Sequence, residues 1–176
     1  MSPADRMRLW STRVALGLVL LTASGCLSQI TKETAQRMGR GPRATEVYYA
    51  RAVSASGRAP SFDEKRMWED RLDDRLTRYR REHPELEQTP RYSDVRFWKQ
   101  VSEGATRDEV KALLEDPDEQ TIDPAMMGAL AEAHWTSIGA KAREAWVYPL
   151  GWVIFFDDTG AVDFIRRSWA PGNTTD

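Results

Sequence analysis

The apolar positions of this chain change their spacing from stretch to stretch, and each change predicts a different kind of element. Val14 to Leu21 are apolar without interruption, and the run closes on Thr22, Ala23, Ser24 and Gly25. A membrane-spanning helix needs about 20 apolar residues, so this run is too short to be one. From 27 to 60 the apolar residues thin out among Gly39, Gly41, Pro42, Gly57 and Pro60, which is the composition of a linker. Within it, Val47, Tyr48, Tyr49 and Val53 are spaced for one short helix. Over 61–83 the pattern predicts a long helix. Ser61 and Glu64 form a capping box, Trp68, Leu72, Leu76 and Tyr79 recur at helical spacing, and Pro84 stops the run. Charges of both signs interleave around that stripe, so the remaining faces are solvated. The narrow stripe suits packing on the chain's own domain or pairing with a second helix.

Residues 92–170 carry the densest pattern. Ser93 is placed to cap a short helix holding Val95, Phe97, Trp98 and Val101, closed by Gly104. Thr106 and Glu109 form another capping box, with Val110, Leu113 and Leu114 as the inner face, and Asp116-Pro117 ends that helix. Ala125 to Ala131 can add a helix in the loop that follows. Ala145 to Tyr148, Trp152 to Phe156 and Val162 to Ser168 then read as strands, joined by Pro149-Leu150-Gly151 and by a tight turn at Asp157 to Gly160. The predicted class is α+β: two short helices packed on a three-stranded antiparallel meander, preceded by a long amphipathic helix and a flexible tether. The second strand is apolar on both faces. Trp152, Ile154 and Phe156 point one way, and Val153 and Phe155 the other. Two helices on one side leave one set open, to be covered by the 61–83 helix and the 118–142 segment or by a partner.

Charge and cysteine usage change the picture at the N-terminus. Residues 1–25 hold three Arg and one Asp, a net of +2, against −2 for the whole chain, which leaves −4 for the remainder. A basic start, a short apolar run and small residues before a cut describe a secretory signal peptide. The chain's one cysteine, Cys26, follows directly. Ala23-Ser24-Gly25-Cys26 resembles the lipobox of bacterial lipoprotein precursors, in which the thiol is acylated and the peptide is cut just before it. The other reading of Cys26 is a buried free thiol behind an ordinary signal. By resemblance to the enterobacterial sorting rule, Leu27 after the cysteine favours the outer membrane. The mildly acidic remainder has no basic excess to suggest nucleic acid, and one cysteine allows no disulfide within the chain.

The run from Val101 through Gly104, Thr106, Val110, Leu113 and Leu114 to Pro117 resembles the opening of the SmpA/OmlA family, the BamE-like outer-membrane lipoproteins. Trp146 and Tyr148 are similar to its Trp-x-Tyr strand, and Ile154 to Val162 to its closing hairpin. Glu115 stands where the family usually has Gly, and the 118–142 link is longer than the family's. The resemblance implies a lipid-anchored, periplasm-facing binding module, an accessory of outer-membrane protein assembly or envelope integrity. Its partners would be membrane lipid through Cys26 and other envelope proteins, the barrel-assembly machinery among them. The expected organisation is a signal peptide (1–25), a lipidated tether (26–60), a charged helix (61–90), an SmpA/OmlA-like domain (92–170) and a tail (171–176).

Chemistry finds little support in the residues. His83 and His134 lie far apart, no Cys/His spacing for a metal exists, and the acidic pairs Asp73-Asp74 and Asp157-Asp158 fall on a helix surface and a turn. No catalysis and no cofactor are expected. Among the seven tryptophans, Trp98, Trp146 and Trp152 fall on predicted core faces. Trp169 is placed beyond the last strand as an exposed anchor. The expected partner surface is therefore Trp152, Ile154, Phe156 and Trp169. Two other readings stay open: an inhibitor-like module, since the two-helix, three-strand unit resembles the repeat of β-lactamase inhibitory proteins, and a structural lipoprotein self-associating through the charged helix.

Overall fold

A computed structural model describes residues 40–167 of the chain. The expected signal peptide, Cys26, Trp169 and the tail lie outside these residues. The first described element is a strand, β1 (Arg40–Arg43), which leads directly into helix α1 (Ala44–Ser56). β1 pairs antiparallel with β2 (Gln100–Ser102), Arg40 opposite Ser102 and Arg43 opposite Gln100. Residues 40–56, expected inside a flexible tether, therefore belong to the folded body. Gly41 and Pro42 act there as buried strand residues rather than linker breakers. A Cβ on Gly41 would sit 3.1 Å from Ile165 Cδ1 and 3.2 Å from Val101 Cβ, so only glycine lets the strand lie this close.

Helix α2 (Phe62–Glu82) forms as its pattern predicts. Ser61 Oγ accepts the Glu64 N–H at 3.3 Å, and the Glu64 carboxylate accepts the Ser61 N–H at 2.7 Å. Arg58 donates to the same carboxylate and, with Ser61, holds its pKa at about 2. Trp68, Leu72, Leu76 and Tyr79 are all buried, in the same core as Val47 of α1. Helix α3 (Arg107–Leu114) is capped by Thr106, whose Oγ accepts the Glu109 N–H at 3.2 Å. The Glu109 side chain does not reach back to complete a capping box. It turns inward, 1 % exposed, and pairs with Arg91.

The main sheet has four antiparallel strands rather than three, in the order β3 (Glu119–Thr121), β4 (Glu144–Tyr148), β5 (Trp152–Phe156), β6 (Val162–Arg167). The chain between β3 and β4 makes two short helices, α4 (Pro124–Ala131) and α5 (Trp135–Ile138). Alternation along β5 divides the apolar residues between two cores. Ile154 and Phe156 join Trp146 and Tyr148 in a core with α1, α2 and α3. Val153 and Phe155 join Ala145 in a second core with Met127, Ala131 and Ile138. Helices thus cover both faces of the sheet. The hairpin turn forms where the sequence places it: Asp157 Oδ1 accepts the Thr159 and Ala161 N–H groups, and Gly160 adopts φ +82°.

The helix expected to start at Ser93 and include Val101 does not form. Asp94–Trp98 make a single wide π-type turn, closed by the Lys99 N–H on the Asp94 carbonyl, with Lys99 left-handed at φ 49° and ψ 47°. Val101 then enters β2. Pairing with β1, far away in sequence, satisfies the backbone groups that a continued helix would have used.

Candidate interaction surface

Of the residues expected to bind a partner, Ile154 and Phe156 are buried in the core and have no exposed surface. Trp152 is partly buried against the same core, with the Arg167 guanidinium 5.2 Å from its ring centroid. Trp169 and Cys26 lie outside the described residues. Two helical layers close the sheet: α1 to α3 cover one face, over Ile154 and Phe156, and the link helices α4 and α5 cover the other.

What the fold does present is a knuckle at Asp94–Trp98. The wide turn carries one residue more per closing bond than an α-helix. Val95 points inward and is fully buried, while Phe97 is 67 % and Trp98 52 % exposed. Trp98, expected in the core, is therefore outside it. Cations frame both rings. Arg43 lies 5.4 Å from the Trp98 centroid and Arg96 5.2 Å from that of Phe97. Arg96 also donates to the Tyr92 hydroxyl at 2.7 Å. Lys99 pairs with Asp73 of α2, and Arg40 with Asp94 at 3.4 Å. β1 holds the knuckle from below, since the Ala44 N–H donates to the Lys99 carbonyl at 2.8 Å. The sequence carries a signal in Arg96-Phe97-Trp98-Lys99, two aromatics between two cations, although helical spacing places Trp98 on a core face.

Two further polar sites have structural roles. Glu109 sits against Arg91 at 3.3 Å, and burial pushes its carboxyl above the usual range even though Arg91 pulls it down. Tyr79 and Thr106 hydroxyls meet close by at 3.2 Å. Glu109 is 1 % exposed and does not line the groove between α1 and α2. The second site is the C-terminal end of α3. Arg51 donates to the carbonyls of Leu114 and Asp116 at 2.9 and 2.6 Å, Arg75 to that of Ala112 at 2.7 Å, and the Tyr148 hydroxyl to that of Glu115 at 3.0 Å. These donors neutralise the negative end of the helix. The groove of about 310 Å³ beside them, between α1 and α2, is floored by Tyr48, Ala52 and Trp68.

Among the described residues no cluster of His, Cys, Asp and Glu is placed to hold a metal ion, and no helix is long and apolar enough to cross a membrane. Comparison with known proteins found no matching family model, no matching curated protein and no matching solved structure.

Proposed function

We propose that the chain is a lipid-anchored, periplasm-facing binding module of the SmpA/OmlA kind, an accessory in outer-membrane protein assembly with no catalysis of its own. The observation that supports this most is an ordered one. A lipobox-like Ala23-Ser24-Gly25-Cys26 precedes a body in which a Thr-capped helix ending in Leu113-Leu114 is followed by the β4–β6 meander. Two or three acyl chains on Cys26, at about 0.8 kcal/mol per buried methylene, make an effectively permanent anchor. The alternatives each need a surface that is not open here. An inhibitor acting through its sheet requires a free sheet face, and both faces carry helices. Self-association through the charged helix requires a free stripe on α2, and Trp68, Leu72, Leu76 and Tyr79 are buried within the chain.

Two measurements test the proposal. Radiolabelled palmitate should label the wild-type chain, globomycin should block its processing, and Cys26→Ala should abolish both effects. Unchanged processing and membrane retention in that variant would sink the lipid anchor. Affinity capture from detergent-solubilised envelopes should then co-purify barrel-assembly subunits; a clean preparation without partners would remove the assembly role.

A further inference from the structure

We infer that the groove between α1 and α2 is a docking site for an acidic amphipathic helix of a partner protein. The groove is one continuous channel. Its deep part, of about 310 Å³, reaches Leu113 and Leu114, and its outer part, of about 280 Å³, opens past Met67 to Arg58 and Pro60. Tyr48, Ala52, Ala55 and Arg71 line both parts. Tyr48 lies flat on Trp68, with ring centroids 4.3 Å apart and 9° between the planes, and this stack bridges α1 and α2 at the floor.

The shape suits a helix. On α1 the lining residues Tyr48, Ala52 and Ala55 recur at helical spacing, and on α2 so do Met67, Arg71 and Arg75. Both walls are therefore helical ridges, and a third helix seats its own ridge between two such rows. Ala52 and Ala55 leave room for its side chains. A strand would need a sheet edge to bond to, and walls whose backbone groups are spent within helices offer none. Tyrosine, tryptophan and arginine are also the residues that dominate protein interfaces. Met67, 59 % exposed at the rim, adapts readily to an incoming apolar side chain.

Charge selects an acidic helix. Of the four arginines that line the groove, Arg58 pairs with Glu64, Arg51 and Arg75 pair with Glu115, and Arg71 has no carboxylate partner among the described residues. Arg75 donates through Nε and Nη1 to the Ala112 carbonyl and to Glu115, while its Nη2 is buried without a hydrogen-bond partner. Such groups are nearly always satisfied in a folded protein. Four guanidinium groups against the two carboxylates Glu64 and Glu115 make the lining +2, on a chain whose total is −2. Arg71 and Arg75 stand about one turn apart, roughly 6 Å along the axis. That spacing matches carboxylates at i and i+4 of a helix laid alongside. Both walls precede Val101, where the resemblance to the SmpA/OmlA family begins, and neither needs an acyl anchor.

The test uses the full-length chain extracted in a neutral detergent. A dye-labelled peptide of about 20 residues, long enough to hold a helix, presents Leu on one face with Glu at i and i+4 beside it. A second peptide has Lys for each Glu, and a third has Pro at its centre. Fluorescence anisotropy should show the Glu helix binding more than about tenfold tighter than either, with affinity falling as salt rises. Ala55→Trp, which fills the groove, should weaken binding more than about tenfold. Arg71→Glu should do the same and should raise affinity for the Lys peptide, a reversal that a merely structural Arg71 would not give. Arg66→Glu, on α2 but outside the groove, should change either affinity less than about twofold. Circular dichroism should show these variants folded, since Ala55, Arg66 and Arg71 are exposed. In cells, a benzophenone amino acid at Met67 should crosslink to an acidic helix of another protein, and one at Phe62, exposed away from the groove, should not. Equal binding of the Glu and Lys peptides, unchanged binding by Ala55→Trp, or a crosslink at Met67 that survives Arg71→Glu overturns the proposal. So does displacement of the peptide by short-chain phosphatidylglycerol where phosphatidylcholine has no effect, since the groove would then be a lipid site. Failure of palmitate labelling with peptide binding intact removes the anchor and leaves the groove standing.

Discussion

Glu115 and Glu132 each end a helix in a left-handed conformation that side chains rarely adopt, at φ 67° and 52°. Glycine is the usual residue in such a place, and Glu115 occupies the very position where the resembled family has one. The structure supplies the compensation in both cases through arginine. Arg51 and Arg75 pair with Glu115, and Arg166 of β6 pairs with Glu132 while donating to the Leu130 carbonyl at the end of α4. The Glu115 pairs are half exposed and contribute up to about 1 kcal/mol. Backbone strain of this kind costs about 1–3 kcal/mol. Glu115→Ala keeps the strain and loses the pairs, whereas Glu115→Gly loses the pairs and relieves the strain. The glycine variant should therefore be more stable than the alanine variant by about 1 kcal/mol or more in urea denaturation. Glu109 gives a different residue-scale prediction. Its carboxyl is raised by burial, so the folded state holds the proton more tightly than the unfolded state does. The associated stability is fully present below the ordinary value of 4.5 and is lost as pH rises through the raised value. Between 4.5 and neutrality, Glu109→Gln should flatten the decline of stability with pH, and an unchanged slope would show that another group carries it.

At the scale of elements, one short strand accounts for most of the differences from the pattern-based expectation. β1 reads as linker because it is Arg-Gly-Pro-Arg, with no alternation and two breakers. Once it pairs with β2, Gln100 to Ser102 must be extended, and the helix predicted from Ser93 can only be a wide turn ending at Trp98. The exposure of Phe97 and Trp98 follows from that pairing. Gly41 is the sensitive point, because its backbone lies against Ile165 and Val101. Gly41→Val should destabilise the body by about 1–3 kcal/mol through overpacking, read as a lower urea midpoint. A neutral effect would mean that 40–43 is not held against the core. α2, by contrast, carries its own start signal, stripe and stop, and forms as the spacing predicts.

For the whole molecule, the described body is a sheet between two helical layers with two apolar cores. Its stability rests on that burial, since the chain's one cysteine allows no disulfide within it. The melting temperature should therefore be the same with and without a thiol reductant; a shift would point to a cross-link between chains. With both sheet faces covered, the described body presents to other molecules the exterior of its helices and the knuckle at Asp94–Trp98.

The local signals in the sequence determined the local features. Cap residues at Ser61 and Thr106 start their helices, the four-residue stripe of α2 turns inward, Asp157 to Gly160 makes the hairpin, and alternation along β5 sorts its side chains into two sets. Each depends on residues a few positions apart, whose geometry the spacing fixes. Tertiary structure decided what lies against each of these features. It set β1 against β2, placed α4 and α5 over Val153 and Phe155, brought Arg51 and Arg75 to the end of α3, and left Phe97 and Trp98 outside. Those contacts join residues distant along the chain, and no periodicity encodes which distant surface will pay the desolvation cost of a given apolar face. The sequence therefore named the face of β5 that needed a cover, and only the fold showed that the chain provides it.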